Sequence, residues 1–431
     1  MKNKPLVITA VLIMVLVGGY FLYHNLLNRT SISVWDVVPA ETILVYEGSS
    51  CDKCMDQLKA SAVSSLINQA AFLSDKDSLQ GFTKFILSNF RQGSLISLHI
   101  TKKDDFDFIF YMPYSPLVEQ QFNSLIEKVT KHNGAKKVSF SDHEYNGVKI
   151  YELSLEGRTF SWVRIDNVLV SSFTPVLVED VIRTYRQDGR NFRSVLGGVY
   201  QLPKIKNDGG DLYINLKKAA EWLSLFTSDK PAAFIQQFGQ SALLDVKISD
   251  NNSFVLNGFC LDSASNPNFI LSTFSGQQPV PFTLKHFVSN RALMFASYGI
   301  SDGASFQRDL QLFNQKNKPL QDTLKKISTT LQIDLAKLTN SLSGELGVCW
   351  MESKGQTMSK VLIINSPKSN DDWLTALNTL SQKLSIDTVF YEKFSDYEIR
   401  ELPLHRFPEK LFWPLVSGFN TSYYTRLGDA N

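Results

Sequence analysis

The chain has 431 residues, 43% of them hydrophobic and 20% charged, which excludes a disordered protein and leaves room for two or three domains with their own cores. Its formal charge is only +2, and the lysine-containing stretches 131–137 and 316–326 mix in polar and acidic residues. They read as solvated faces, so no nucleic-acid partner is expected.

Residues 1–4, MKNK, form a short basic stub. Residues 5–28 then run without a charge until Arg29. As a helix rising about 1.5 Å per residue, about 20 of them would cross a hydrocarbon layer of about 30 Å. Lys2 and Lys4 precede the apolar run, which places the N-terminus in the cytoplasm and the chain after Arg29 outside it. A cleaved signal peptide would have a shorter apolar core and a small-residue cleavage site; this run is longer and ends in GGYFLYHNLL. The expectation is an uncleaved, single-pass signal anchor with the lipid bilayer as partner of residues 5–28. The bulk of the chain is then extracytoplasmic, periplasmic in a Gram-negative host.

Residues 30–192 read as a first α+β module. An apolar β-run leads into EGSSCDKCMDQL (47–58), followed by paired strands over 93–113 that end at Pro113. Residues 117–131 carry apolar positions at helical spacing. Strand-like runs follow at 140–153 and 161–167, then a strong strand and a helix over 168–187. Residues 193–284 read as a connecting region packed onto the first module. It holds a strand at 211–216, a helix at 217–226 and a hairpin at 241–263, in which Val246, Ile248, Phe254 and Leu256 alternate around SDNNS.

Residues 285–431 repeat the first module's order. Residues 37–58 line up with 287–310, and 93–113 with 344–367, both ending at a proline. The helical stretch 117–131 matches 370–384, 140–153 matches 390–402, and SWVRIDN (161–167) matches YYTRLGD (423–429). The counterpart of 168–187 does not follow, and an unpaired strand edge is expected there. On this reading the chain is a truncated relative of a longer protein.

The chemistry-bearing candidates are few. Cys51 and Cys54 form a Cys-x-x-Cys ahead of a helix, where the helix dipole and Lys53 would stabilise a thiolate. That makes a thiol–disulfide protein or sensor, with Cys51 attacking and Cys54 resolving, the alternative reading. Against it, the Trp-Cys-Gly-Pro context of thioredoxin-like proteins is missing, and the second copy has Ser301 and Ala304 at the aligned positions. Cys260 and Cys349 sit in separate apolar β-runs, where free cysteine acts as a small hydrophobe. His24, His99, His132, His143, His286 and His405 are scattered singly, so no metal or cofactor site is expected. Asp104 and Asp105 in KKDDFDF (102–108) alternate at a hairpin tip and read as a solvated turn. Nucleophile elbows, phosphate loops and dinucleotide fingerprints are absent from the sequence.

The lead-in VPAETILVYEGSS, the stretch DLYINLKKAAEWL, the hairpin LLDVKISDNNSFVLNGF and the closing FWPLVSGFNTSYYTRLGD resemble uncharacterised membrane-anchored envelope proteins of Bacteroidota-type bacteria. The resemblance implies a domain of unknown function, with such modules preceding further β-domains, and carries over no catalytic residue. The reading at this point is two related α+β modules of mostly antiparallel sheet flanked by helices, after one transmembrane helix. They form a non-enzymatic binding or scaffold protein with a partner protein in the cell envelope.

Overall fold

A computed structural model of the chain describes residues 32–48, 80–90, 93–103, 105–132, 138–155, 157–187, 190–205, 209–227, 229–248, 254–262, 269–352, 358–385 and 389–427. The fold is α+β. It divides into one unit of Met1–Gln236 with Gln240–Leu261 and a second of Gln237–Gly239 with Asp262–Asn431. Residues 5–28 lie outside the described residues, among which no helix is long and apolar enough to cross a membrane.

In the first unit β1 (Leu44–Glu47) is followed by α1 (Gln80–Asn89), β2 (Leu95–Lys102), β3 (Asp105–Pro113) and α2 (Pro116–His132). Then come β4 (Val138–Tyr145), β5 (Val148–Leu155), β6 (Arg158–Ile165), β7 (Val168–Ser172), α3 (Pro175–Arg186) and α4 (Phe192–Leu196). The unit closes with β8 (Asp211–Asn215), α5 (Leu216–Leu223), α6 (Asp229–Phe238), β9 (Ser241–Ile248) and β10 (Phe254–Leu261). All ten strands form one sheet in the order β10-β9-β8-β1-β2-β3-β7-β6-β5-β4, antiparallel at every pairing.

Local chemistry sets the corners. The two-residue turn between β4 and β5 needs positive φ at both central positions, and Asn146 (φ 51°) and Gly147 (φ 74°) supply it. Pro175 opens α3, where its missing N–H costs nothing, and Arg183 and Arg186 sit at its carbonyl end. β7 reads VLVSS with all five residues buried, the signature of a central strand covered on both faces. One face packs Ile150, Val163 and Val170 under Leu177, Val178, Val181 and Ile182 of α3. The opposite face is aromatic: Phe82 of α1 stacks on Phe160 of β6 at 4.3 Å, with Phe122 of α2 and Trp162 beside them.

The connecting region does not form a unit of its own. β8 pairs along β1 from Leu44↔Ile214 to Glu47↔Asp211, which covers an edge that would otherwise be open. Residues after Leu261 belong to the second unit instead. In the hairpin, Val246 is buried but its cross-strand partner Leu256 is exposed, because β10 is the sheet's outer strand.

The second unit runs β11 (Ala292–Ile300), α7 (Gly303–Phe313), α8 (Lys318–Leu331), α9 (Leu335–Asn340), β12 (Gly344–Glu352), β13 (Met358–Asn365) and α10 (Asn370–Leu384). It continues with β14 (Tyr391–Phe394), β15 (Tyr397–Leu402), α11 (Phe407–Phe412) and β16 (Ser422–Tyr424). Asp302, Asn317 and Asp334 cap α7, α8 and α9 with their side chains. The strands form two three-stranded antiparallel sheets, β11-β12-β13 and β14-β15-β16. The first unit contains the same two runs, β1-β2-β3 and β6-β5-β4, bridged by β7; among the described residues no strand bridges β13 and β16.

Candidate functional site

Ser97 and His99 lie two residues apart on β2, so strand periodicity puts both on the sheet face under α3. Ser97 Oγ is 2.6 Å from His99 Nε2 and 3.1 Å from Tyr111 Oη on β3. Thr42, just before β1, donates its hydroxyl to the Pro39 carbonyl at 2.6 Å and touches His99 Nε2 at 3.5 Å. Tyr111, Ser97 and His99 thus form a hydrogen-bonded chain inside the sheet. All four side chains are buried. Burial pushes the His99 imidazolium down to about 3, so the ring is neutral at physiological pH. It also raises the Tyr111 phenol, which stays protonated.

His99 reaches the wall of a cleft of about 470 Å³ between the Pro39–Glu41 turn, α3 and α5. The charges around this cleft are satisfied by one another. Lys218 Nζ lies 2.7 Å from both Glu41 Oε2 and Glu221 Oε2. Arg183 donates to Asp180 at 2.5 Å and to Tyr145 Oη at 3.1 Å, and Arg190 lies 3.8 Å from Glu41. Burial holds the Asp180 carboxyl above its ordinary value, even with Arg183 beside it.

A second polar row crosses three strands of the sheet. Glu47, Asp211 and Asp245 stand in register on β1, β8 and β9. Lys204 bridges the first two, at 2.6 Å from Glu47 and 3.0 Å from Asp211, and Tyr213 Oη donates to Glu47 at 3.3 Å.

The structure revises part of the sequence reading. A convergent polar constellation does exist: single-residue inspection left His99 isolated, but its partners come from residues 42, 97 and 111. The Ser-x-His alternation inside an apolar strand was the available signal. Of the KKDDFDF tip, Asp105 is exposed, whereas Asp107 is half-buried, accepts from Thr174 Oγ1 at 2.5 Å and titrates above its ordinary value through desolvation. Cys51 and Cys54 lie outside the described residues. Cys260 on β10 and Cys349 on β12 are free thiols, both raised by burial. Among the described residues, no group of three or more His, Cys, Asp or Glu is arranged to hold a metal ion.

Chemically, Ser97–His99 has the spacing of a nucleophile and its base. Ser97 is fully buried, however, and a substrate carbonyl would have to enter the sheet interior to meet it. Comparison with known protein families, with curated proteins and with solved structures finds no match to this chain.

Proposed function

We propose that this chain is a non-enzymatic binding or scaffold protein, held at the outer face of a membrane by residues 5–28 and built from two copies of one α+β module. The observation that carries the binding reading is the state of the cleft: its acids and bases are ion-paired with each other, and its one serine–histidine pair is sealed inside the sheet. A catalytic cleft presents a group poised to give or take a proton; this one presents a closed hydrogen-bonded wall.

Duplication is supported at the level of register and turns. The β5–β6 pair Tyr151↔Trp162 has its counterpart in Arg400↔Tyr424 of β15–β16, the pairing that the sequence alignment requires. Gly93, just before β2, and the aligned Gly344, the first residue of β12, both have positive φ and both lie against the prolines that end the hairpins, Pro113 and Pro367. The turns after β4 and β14 each place a residue at φ near 50°, Asn146 and Ser395.

The test is affinity capture from envelope membranes with the full chain and with a variant carrying Ser97→Ala, His99→Gln, Cys51→Ser and Cys54→Ser. A scaffold recovers the same partner at the same stoichiometry with both. Capture or turnover lost only in the variant points to chemistry at those groups and overturns the reading.

A further inference from the structure

In the first unit, β7 pairs with β3 on one side and β6 on the other, and α3 then lies across β5 and β6. The helix covers Ile150 with Leu177, Val178, Val181 and Ile182, and Arg183 reaches Tyr145 at the β4 end. In the aligned hairpin of the second unit, Phe394 stands where Tyr145 stands, Tyr397 where Val148 stands and Ile399 where Ile150 stands.

The cross-strand register defines what lies on that face. Phe394 faces Tyr397, Glu392 faces Ile399, and Glu401 faces Tyr423. Phe390 meets Tyr423 edge-on at 6.3 Å. Four aromatic rings therefore share one face of a three-stranded sheet, and they are 53% (Phe390), 69% (Phe394), 41% (Tyr397) and 56% (Tyr423) exposed. The opposite face is covered in part: Arg400 and Tyr424 both bond Asn378 of α10, whereas Tyr391 on that face is exposed. The rings form two pairs, Phe394 with Tyr397 and Phe390 with Tyr423, with Glu392, Ile399 and Glu401 on the same face between them. Solvated sheet faces ordinarily carry polar side chains, and exposed aromatic rings grouped on one face mark a place where another surface docks.

The sheet edges point the same way. Among the described residues, β13 pairs only with β12 and β16 only with β15. These are the two edges whose counterparts in the first unit, β3 and β6, flank β7.

We propose that the aromatic face of β14–β15–β16 and the edges of β13 and β16 together form a docking surface for one strand–helix element of a partner polypeptide. The first unit supplies its chemistry. The element has an extended apolar strand of the VLVSS type, antiparallel to both edges, then an amphipathic helix whose apolar stripe lies on the rings. Strand addition supplies main-chain hydrogen bonds, and the rings select the helix. This rests on the binding reading above and names the surface that does the binding.

The test uses the full chain and a synthetic peptide of residues 166–187, DNVLVSSFTPVLVEDVIRTYRQ, with amide hydrogen exchange as the readout. Saturating peptide is expected to slow exchange at β13 and β16 at least tenfold, leaving the outer strands β4 and β10 unchanged. A peptide with Val170→Pro, which loses a ladder donor, should bind at least tenfold more weakly. Phe394→Ser with Tyr397→Ser, at exposed positions where folding is little affected, should weaken binding to the same degree. Protection appearing at β4 or β10 instead, or binding indifferent to both sets of substitutions, overturns the proposal. So does protection of β13 and β16 that rises with protein concentration alone, which would seat a second copy there. Envelope capture that survives Phe394→Ser with Tyr397→Ser would sink this surface while leaving the scaffold reading standing.

Discussion

The sharpest quantitative consequence concerns His99. The folded chain keeps the ring neutral down to about pH 3, whereas in the unfolded chain it protonates near its ordinary value of about 6.5. Between those values the unfolded state binds one proton that the folded state refuses. His99 therefore costs no stability above about pH 6.5, and the penalty grows as pH falls, by about 1.4 kcal/mol per unit, levelling off below about pH 3. Between pH 7.5 and 5.0 the loss comes to about 2 kcal/mol in the first unit, in a window where ordinary carboxylates do not yet titrate. The perturbation is His99→Gln, which keeps a hydrogen-bonding side chain beside Ser97 but does not ionise. The assay is native-state hydrogen exchange of β2 amides at both pH values, which reads the first unit without interference from the second. Wild type should lose about 2 kcal/mol more than the variant over that interval. Parallel losses, within about 0.5 kcal/mol, would show that the imidazole is open to water and refute the buried network.

Other consequences follow from packing and backbone geometry. Phe160→Ala removes a fully buried ring stacked on Phe82 and should cost the first unit about 3–5 kcal/mol by denaturant titration with exchange readout. Lys204→Met leaves Glu47 and Asp211 side by side without their bridging cation, with an expected cost of about 1–2 kcal/mol at pH 7 by the same titration. Gly344→Ala combines a φ of 154° with a methyl group 2.2 Å from the Asn365 carbonyl oxygen, so it should destabilise the second unit by about 3 kcal/mol or more. Gly157→Ala meets nothing within 4 Å and should cost only about 1 kcal/mol for its positive φ, with equal losses at the two glycines counting against the steric argument.

Sequence periodicity located the elements well where one face alternates or a helix is long. The stretches 370–384 and 117–131 became α10 and α2 with boundaries within a residue, and the strand and helix expected over 168–187 are β7 and α3. The proposed repeat rests on local marks of turn chemistry, such as the paired glycines and prolines of the two hairpins. What the sequence hid depends on pairings remote in the chain. That residues 211–261 extend the first sheet follows from β1 needing a neighbour, which no local pattern announces. The His99 network was hidden for the same reason, since Tyr111 and Thr42 reach it only once β1, β2 and β3 are in register. The aromatic face of β14–β16 was visible as a run of Phe and Tyr, but its exposure was not, because the same residues would serve equally well as core.

The reading of the chain as a surface presented beyond a membrane is tested most directly by its topology. Protease added to intact spheroplasts expressing the full chain with a tag ahead of Met1 should digest the portion from residue 30 onward and leave the tag with residues 1–28 protected. A full-length chain that survives until detergent opens the cells would place both units on the cytoplasmic side and contradict the account.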